Sequence, residues 1–216
     1  MDSKKNLVKQ AMQLYAVTDR AWTKEKTLYA QVEEALKGGV TCVQLREKER
    51  GFEDFLAQAV QMGELCRKYR VPFIVNDNVE IALRSKADGV HVGQSDMPLK
   101  RVRELLGPDK IIGVSAHTIR EALTAERDGA DYLGVGAMFS TGTKPDASPL
   151  SVNTLREICR AVTIPVVAIG GIKKSHISGL GGSGISGVAL VSAIFAAENI
   201  EAECRELLSM VRGLFG

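Results

Sequence analysis

The chain has 216 residues, 45% hydrophobic and 25% charged, with a net charge of +2. A chain of that size buries a full core without disulfides or a structural metal, and so balanced a charge leaves no global attraction to nucleic acid or membrane, so any phosphate affinity rests on local clusters. The four cysteines, Cys42, Cys66, Cys159 and Cys204, stand far apart with no C-x-x-C pair, which argues against zinc or a disulfide framework and for reduced thiols.

Residues 1–12 read as a short polar N-terminal extension. No apolar run of signal-peptide type follows it and no stretch reaches transmembrane length, so the expected location is cytoplasmic. The first apolar run, 14–18, is followed by a helical pattern over 28–36, with Leu28, Val32, Ala35 and Leu36 at helical spacing. A run at 42–45 precedes a longer helical pattern over 52–69, and a run at 73–75 precedes Asn76 and Asp77. The run 89–92 leads into Gly93-Gln94-Ser95-Asp96, after which Met97-Pro98 opens a helix with proline near its first turn. Next come a run at 111–114, a helix over 119–127 with Thr118 as N-cap and Glu121 three residues on, and a run at 132–136. A helix over 151–161, runs at 166–169 and 188–191, and a last helix over 201–214 complete the chain.

The runs are near-continuous in apolar character rather than alternating, as parallel strands covered on both faces require. Gly or Gly/Asp turns such as Lys37-Gly38-Gly39 and Asp128-Gly129-Ala130-Asp131 end a helix just before a strand begins. Eight such units predict a single (β/α)8 TIM barrel spanning 1–216. An open doubly wound sheet is the alternative, disfavoured by the lack of G-x-G-x-x-G after the first run. Residues 175–187 should hold the seventh helix but carry five glycines, Gly179, Gly181, Gly182, Gly184 and Gly187. Each interior glycine costs a helix about 1 kcal/mol relative to alanine, which predicts a short, irregular segment.

In such a barrel the chemistry sits at the carboxyl ends of the strands. There the second strand delivers Gln44, Arg46 and Lys48, the third Asn76 and Asp77, the fourth Gln94 and Asp96, and the fifth Ser115 and His117. Ser140-Thr141-Gly142-Thr143-Lys144 follows the sixth strand, Gly170-Gly171 the seventh and Val191-Ser192 the eighth. Asp77 and Asp96, from neighbouring strands, form a pair able to hold Mg2+. With Arg46, Lys48 and Lys144 beside them they suit a metal-bridged diphosphate. The backbone around Gly170-Gly171 and Val191-Ser192 suits a monophosphate. Two anion sites imply group transfer with pyrophosphate leaving. Asp77 alone also fits a helix cap, the 46–50 segment a solvated charge run, His117 a rim or cap residue, and His91 a structural one.

Leu14-Tyr15-Ala16-Val17-Thr18-Asp19, Val43-Gln44-Leu45-Arg46-Glu47-Lys48, Val75-Asn76-Asp77, His91-Val92-Gly93-Gln94-Ser95-Asp96, Gly113-Val114-Ser115-Ala116-His117-Thr118, Thr141-Gly142-Thr143-Lys144 and Ala168-Ile169-Gly170-Gly171-Ile172 together resemble the thiamine-phosphate synthase family in order and spacing. The resemblance implies a transferase of thiamine biosynthesis that joins hydroxymethylpyrimidine diphosphate to a thiazole phosphate, giving thiamine phosphate and pyrophosphate, with Mg2+ as cofactor. It implies that Gln44, Leu45, Arg46, Glu47, Lys48, Asn76, Ser115 and Lys144 hold the pyrimidine diphosphate, and that Arg46, Lys48, Ser115 and Lys144 act in catalysis. Asp77 and Asp96 would bind the metal, and Thr141, Gly142, Thr143, Gly171, Val191 and Ser192 the thiazole phosphate. Its partners would be these small molecules, not nucleic acid or membrane. A homo-oligomer is compatible with the sequence, which does not set the oligomeric state.

The chain departs from the family pattern at Gly136-Ala137-Met138-Phe139, where a proline is usual, at His176, near the usual asparagine, and in the glycine-rich 179–187 segment. All three lie on the thiazole side. Two other functions fit the same barrel: a thiazole tautomerase-like isomerase, which needs no diphosphate–metal site, and a non-catalytic ligand-binding barrel.

Overall fold

A computed structural model describes residues 2–23, 25–140 and 149–215. Strands β1 (Leu14–Val17), β2 (Cys42–Leu45), β3 (Phe73–Asn76), β4 (Gly89–Val92), β5 (Ile111–Ala116), β6 (Tyr132–Val135), β7 (Val166–Ile169) and β8 (Gly187–Leu190) pair in parallel, each with the next, and β8 returns to β1. Closure is carried by Leu14 opposite Val188 and Ala16 opposite Leu190. This is the predicted (β/α)8 barrel.

The apolar character of the strands splits cleanly by parity. Leu14, Ala16, Val43, Leu45, Val75, Val90, Val114, Leu133, Val135, Ala168 and Val188 point outward into the layer beneath the helices. Tyr15, Val17, Cys42, Ile74, Tyr132, Val167 and Ala189 point inward and fill the barrel. With both faces buried, neither parity can be polar except where the barrel opens.

Helices α2 (Leu28–Lys37), α3 (Phe52–Lys68), α4 (Val79–Arg84), α5 (Leu99–Leu106), α6 (Ile119–Arg127), α7 (Val152–Ala161), α8 (Lys174–Ile177), α9 (Ser192–Phe195) and α10 (Ile200–Phe215) lie between and after the strands. Their starts follow local chemistry. Thr27, Asn78, Thr118 and Ser151 each accept a backbone N–H from the residue three positions on, and Pro98 stands at the N-cap of α5. The outer ring closes where α10 packs on the end of α2: a Cβ on Gly38 would lie 2.5 Å from the Cys204 Cβ, so no larger residue fits there.

The seventh helix is short, as expected: α8 has four residues and passes into a single 3-10 turn, Ser178–Leu180. Gly182 and Gly184 then turn the chain with φ of +67° and +90°. The first residues, by contrast, are not a bare extension but a helix, α1 (Asp2–Ala11). Its Val8 and Ala11, with Met12 just beyond, join the inward-facing cluster of Tyr15, Cys42, Ile74, Tyr132 and Val167. α1 therefore plugs the amino-terminal mouth. Lys5 and Lys9 are exposed, while Lys4, on the same stripe as Val8 and Ala11, ties the helix to Asp131 at 2.8 Å.

Candidate active site

With the amino-terminal mouth plugged, the barrel opens at the carboxyl ends of the strands, into a cavity of about 450 Å3. Its wall takes Val17 from β1, Gln44, Arg46 and Lys48 from β2 and the segment after it, and Asn76 and Asp77 from β3. It continues through His91, Gln94, Ser95 and Asp96, then Ser115 and His117, and closes through Gly170, Gly171, Val191 and Ser192. A larger hollow of about 840 Å3 lies between residues 20–29 and α3 on the outer wall. It is shallow and draws on no strand end, so the smaller cavity is the better site.

One half of the wall is charged. Parity turns Gln44, Arg46 and Lys48 toward the cavity and Leu45 and Glu47 away from it. Leu45 lies in the outer core. Glu47 is paired with Arg20 at 2.8 Å, its side chain only 3% exposed. Of the five residues from Gln44 to Lys48, then, three line the cavity and two support them from behind. Arg46 is set by the end of β1: its N–H donates to Thr18 Oγ1 at 3.0 Å and its guanidinium meets Asp19 at 3.3 Å.

Asp77 and Asp96 lie in the same wall, with Asn76. The capping role that Asp77 alone would fit belongs to Asn78, whose Oδ1 accepts the Ile81 N–H at 2.9 Å. Asp77 instead adopts φ +61°, a left-handed conformation that aspartate tolerates better than most residues. Its N–H donates to the His91 carbonyl at 2.8 Å, which binds it to the end of β4. Asp96 folds back so that Oδ2 accepts the Gly93 N–H at 2.7 Å. Gln94 spans to β5, donating to the Ser115 carbonyl at 2.6 Å. Among the described residues no group of three or more His, Cys, Asp or Glu side chains is arranged to hold a metal ion. Two carboxylates fit an ion such as Mg2+, which keeps waters and takes further oxygens from a phosphate.

The other half is backbone. Gly170 and Gly171 have φ of +95° and +64°. A Cβ on Gly171 would lie 2.5 Å from the Ser140 carbonyl, so this turn needs glycine for space as well as for conformation. Beside it β8 passes through Val191 into α9, whose first residue is Ser192. Two of the segments that depart from the family pattern meet here: Phe139, from the segment that lacks the usual proline, stacks on His176, ring centroids 3.9 Å apart, and His176 Nδ1 accepts the Lys173 N–H at 3.2 Å. Thr141, Gly142, Thr143 and Lys144 lie outside the described residues. His117 sits at the rim, its N–H donating to Glu121 at 2.7 Å.

His91, which by sequence fits a structural role, also lines the cavity. Val90 and Val92 point outward and His91 points in, opposite Asn76 in the β3–β4 register. Its Nε2 is 3.0 Å from Ser115 Oγ and its Nδ1 2.9 Å from the Tyr132 hydroxyl. The same parity that places Asn76 and Ser115 in the wall was available to find it.

Fold and cavity together define a class, a (β/α)8-barrel enzyme that handles small molecules at its carboxyl-terminal mouth. Comparison with known proteins narrows it. A family model described as thiamine monophosphate synthase matches residues 14–194. The thiamine-phosphate synthase of Clostridium acetobutylicum is 51% identical over 199 residues, 92% of this chain and 94% of that protein. That of Clostridium botulinum is 54% identical over 90% of this chain and 91% of its own length. The solved thiamine phosphate pyrophosphorylase of Pyrococcus furiosus superposes with a TM-score of 0.89 at 38% identity, covering 97% of this chain and all of that one. The chain belongs to the thiamine monophosphate synthase family and is a transferase of that type. Among the described residues no helix is long and apolar enough to cross a membrane.

Proposed function

We propose that this transferase joins hydroxymethylpyrimidine diphosphate to a thiazole phosphate, with Mg2+ bound through Asp77 and Asp96, and releases thiamine phosphate and pyrophosphate. The observation that carries the reading is the division of one cavity. Arg46, Lys48, Asn76, Asp77, Asp96 and Ser115 form a charged wall for a diphosphate, and Gly171, Val191 and Ser192 offer backbone to a phosphate opposite. Lys144 and the 141–143 segment would complete the two halves.

The leaving diphosphate sits on a benzylic-type carbon of an electron-rich aminopyrimidine. Such a carbon ionises first, and the thiazole nitrogen then attacks the delocalised cation. Arg46 and Lys48 meet the charge that develops on the departing group, and Ser115 donates a hydrogen bond to it. Charge neutralisation of the diphosphate is the chemistry that Mg2+ supplies when bound. The two halves of the cavity hold the reactants in line and remove the entropic cost of their encounter. No nucleophilic side chain is required.

The test mixes the purified protein with both substrates, with and without Mg2+, and follows pyrophosphate and thiamine phosphate. Metal-dependent formation of both products is expected. Isomerisation of the thiazole without metal, or no product at all, overturns the reading. A pyrimidine bearing an electron-withdrawing group should slow the chemical step by orders of magnitude; an unchanged step would exclude the cation.

A further inference from the structure

A chain of side chains crosses the barrel interior below the cavity. Gln44 Nε2 is 2.7 Å from the Tyr15 hydroxyl, which is 2.8 Å from that of Tyr132. Tyr132 is 2.9 Å from His91 Nδ1, and His91 Nε2 is 3.0 Å from Ser115 Oγ. Tyr15 and Tyr132 are buried and outside the cavity wall, so two phenols that line no part of the cavity link Gln44 to His91 and Ser115, all three in its wall. The interior has been emptied to admit it. A Cβ on Gly113 would stand 2.3 Å from the Tyr132 hydroxyl, and one on Gly134 3.0 Å from the His91 ring.

We infer that Tyr15, Tyr132 and His91 form a one-way hydrogen-bond relay that orients the hydroxyl of Ser115, with His91 as its positioning residue. The direction assigned is the one that gives every proton along the chain an acceptor. The amide nitrogen of Gln44 only donates, which leaves the single hydroxyl proton of Tyr15 for Tyr132 and that of Tyr132 for His91 Nδ1. A neutral imidazole then carries its one proton on Nε2 and donates it to Ser115. Ser115, having accepted, points its own proton into the cavity. Burial pushes both phenols well above their ordinary pKa, so neither supplies a phenolate that would break the sequence of donors. The inference rests on the condensation reading in one respect: there the proton of Ser115 meets an oxygen of the leaving diphosphate.

Tyr132→Phe, Ser115→Ala and the double variant test it, with Tyr15→Phe as a second way to break the chain. Tyr132→Phe removes one oxygen outside the cavity and should lower kcat about five- to tenfold, the worth of one misplaced hydrogen bond, with KM for both substrates little changed. In the Ser115→Ala background the same change should cost nothing further, because the group it positions is gone. An equal loss in both backgrounds would mean a packing defect and overturn the relay. The second readout needs no turnover. Histidine 15N NMR should show His91 as the neutral Nε2–H tautomer in the native protein and a mixture in Tyr132→Phe. A native Nδ1–H tautomer or imidazolium at neutral pH overturns the relay. Failure of the unaltered protein to make thiamine phosphate would sink the condensation reading instead, and the NMR arm would still decide the relay.

Discussion

Asp77 is the residue on which the diphosphate reading is most exposed to test. It sits one position past β3, at φ +61°, with Asn78 rather than itself capping α4. A residue whose backbone is held in a sparsely populated region costs on the order of 1–3 kcal/mol and persists where the surroundings impose it, commonly at functional sites. Asn is the discriminating replacement. It tolerates the left-handed conformation and keeps the shape but loses the charge that would hold Mg2+. Asp77→Asn should lower kcat by about a hundredfold or more while the melting temperature stays within about 2 °C of the parent. Steady-state kinetics beside a thermal melt check it, and near-normal turnover would remove Asp77 from the metal site. Gly171 makes the complementary case on the other wall. Gly171→Ala adds a Cβ 2.5 Å from the Ser140 carbonyl at φ +64°. It should raise KM for the thiazole phosphate about tenfold or more and leave KM for the pyrimidine diphosphate unchanged, as initial-rate measurements with each substrate varied in turn would show.

At the scale of elements, what was legible in the sequence follows from what each element must bury. The strands were visible because both parities are apolar: Val43 and Leu45 serve the outer core, Cys42 and Ile74 the inner one. The cavity residues were visible because polarity begins abruptly where the barrel opens, at Gln44, Asn76 and Ser115. Parity carried one step further separates Arg46 and Lys48, which line the cavity, from Glu47, which pairs with Arg20 behind it. It also exposes His91, a polar residue between two outward valines. The conformation of Asp77 was not legible, because a φ is set by the register of β3 against β4 and not by residue type. Nor was α1. Val8 and Ala11 at its end, with Met12 just beyond, meet the inner core, and apart from the exposed Leu7 the rest of its sequence is polar. Its role is nevertheless testable. Met12 is fully buried in the plug, so Met12→Ala should cost about 2–5 kcal/mol in urea unfolding. KM for both substrates should hold, since Met12 lies at the opposite mouth from the cavity.

Across the whole molecule the two mouths divide the work, and that division can be measured. At the amino-terminal mouth Asp131 accepts from Arg103 at 2.6 Å and from the Ile112 N–H at 2.8 Å, and pairs with Lys4 of α1 at 2.8 Å. Arg103 also donates to the Gly107 and Lys110 carbonyls of the α5–β5 loop and to the Gly129 carbonyl of the α6–β6 loop, so one guanidinium ties two loops. None of these groups lines the cavity, and in this architecture that end is the one devoted to stability. Asp131→Asn leaves Arg103 and Lys4 without their counter-charge and weakens the bond to β5. It should cost about 1–3 kcal/mol in urea unfolding. At a temperature well below the melt, kcat and both KM values should stay within about twofold of the parent, because the barrel between the two mouths is close-packed and keeps its shape. The signature is the reverse of that expected for Asp77→Asn, and the pair is informative as a pair. If both changes lowered stability and activity together, the barrel would act as one coupled unit, and the assignment of chemistry to the carboxyl-terminal mouth would lose its physical basis. If each moves only its own quantity, the wall of Arg46, Lys48, Asp77 and Asp96 is free to specialise for charge, because the opposite mouth carries the stability that such a wall does not supply.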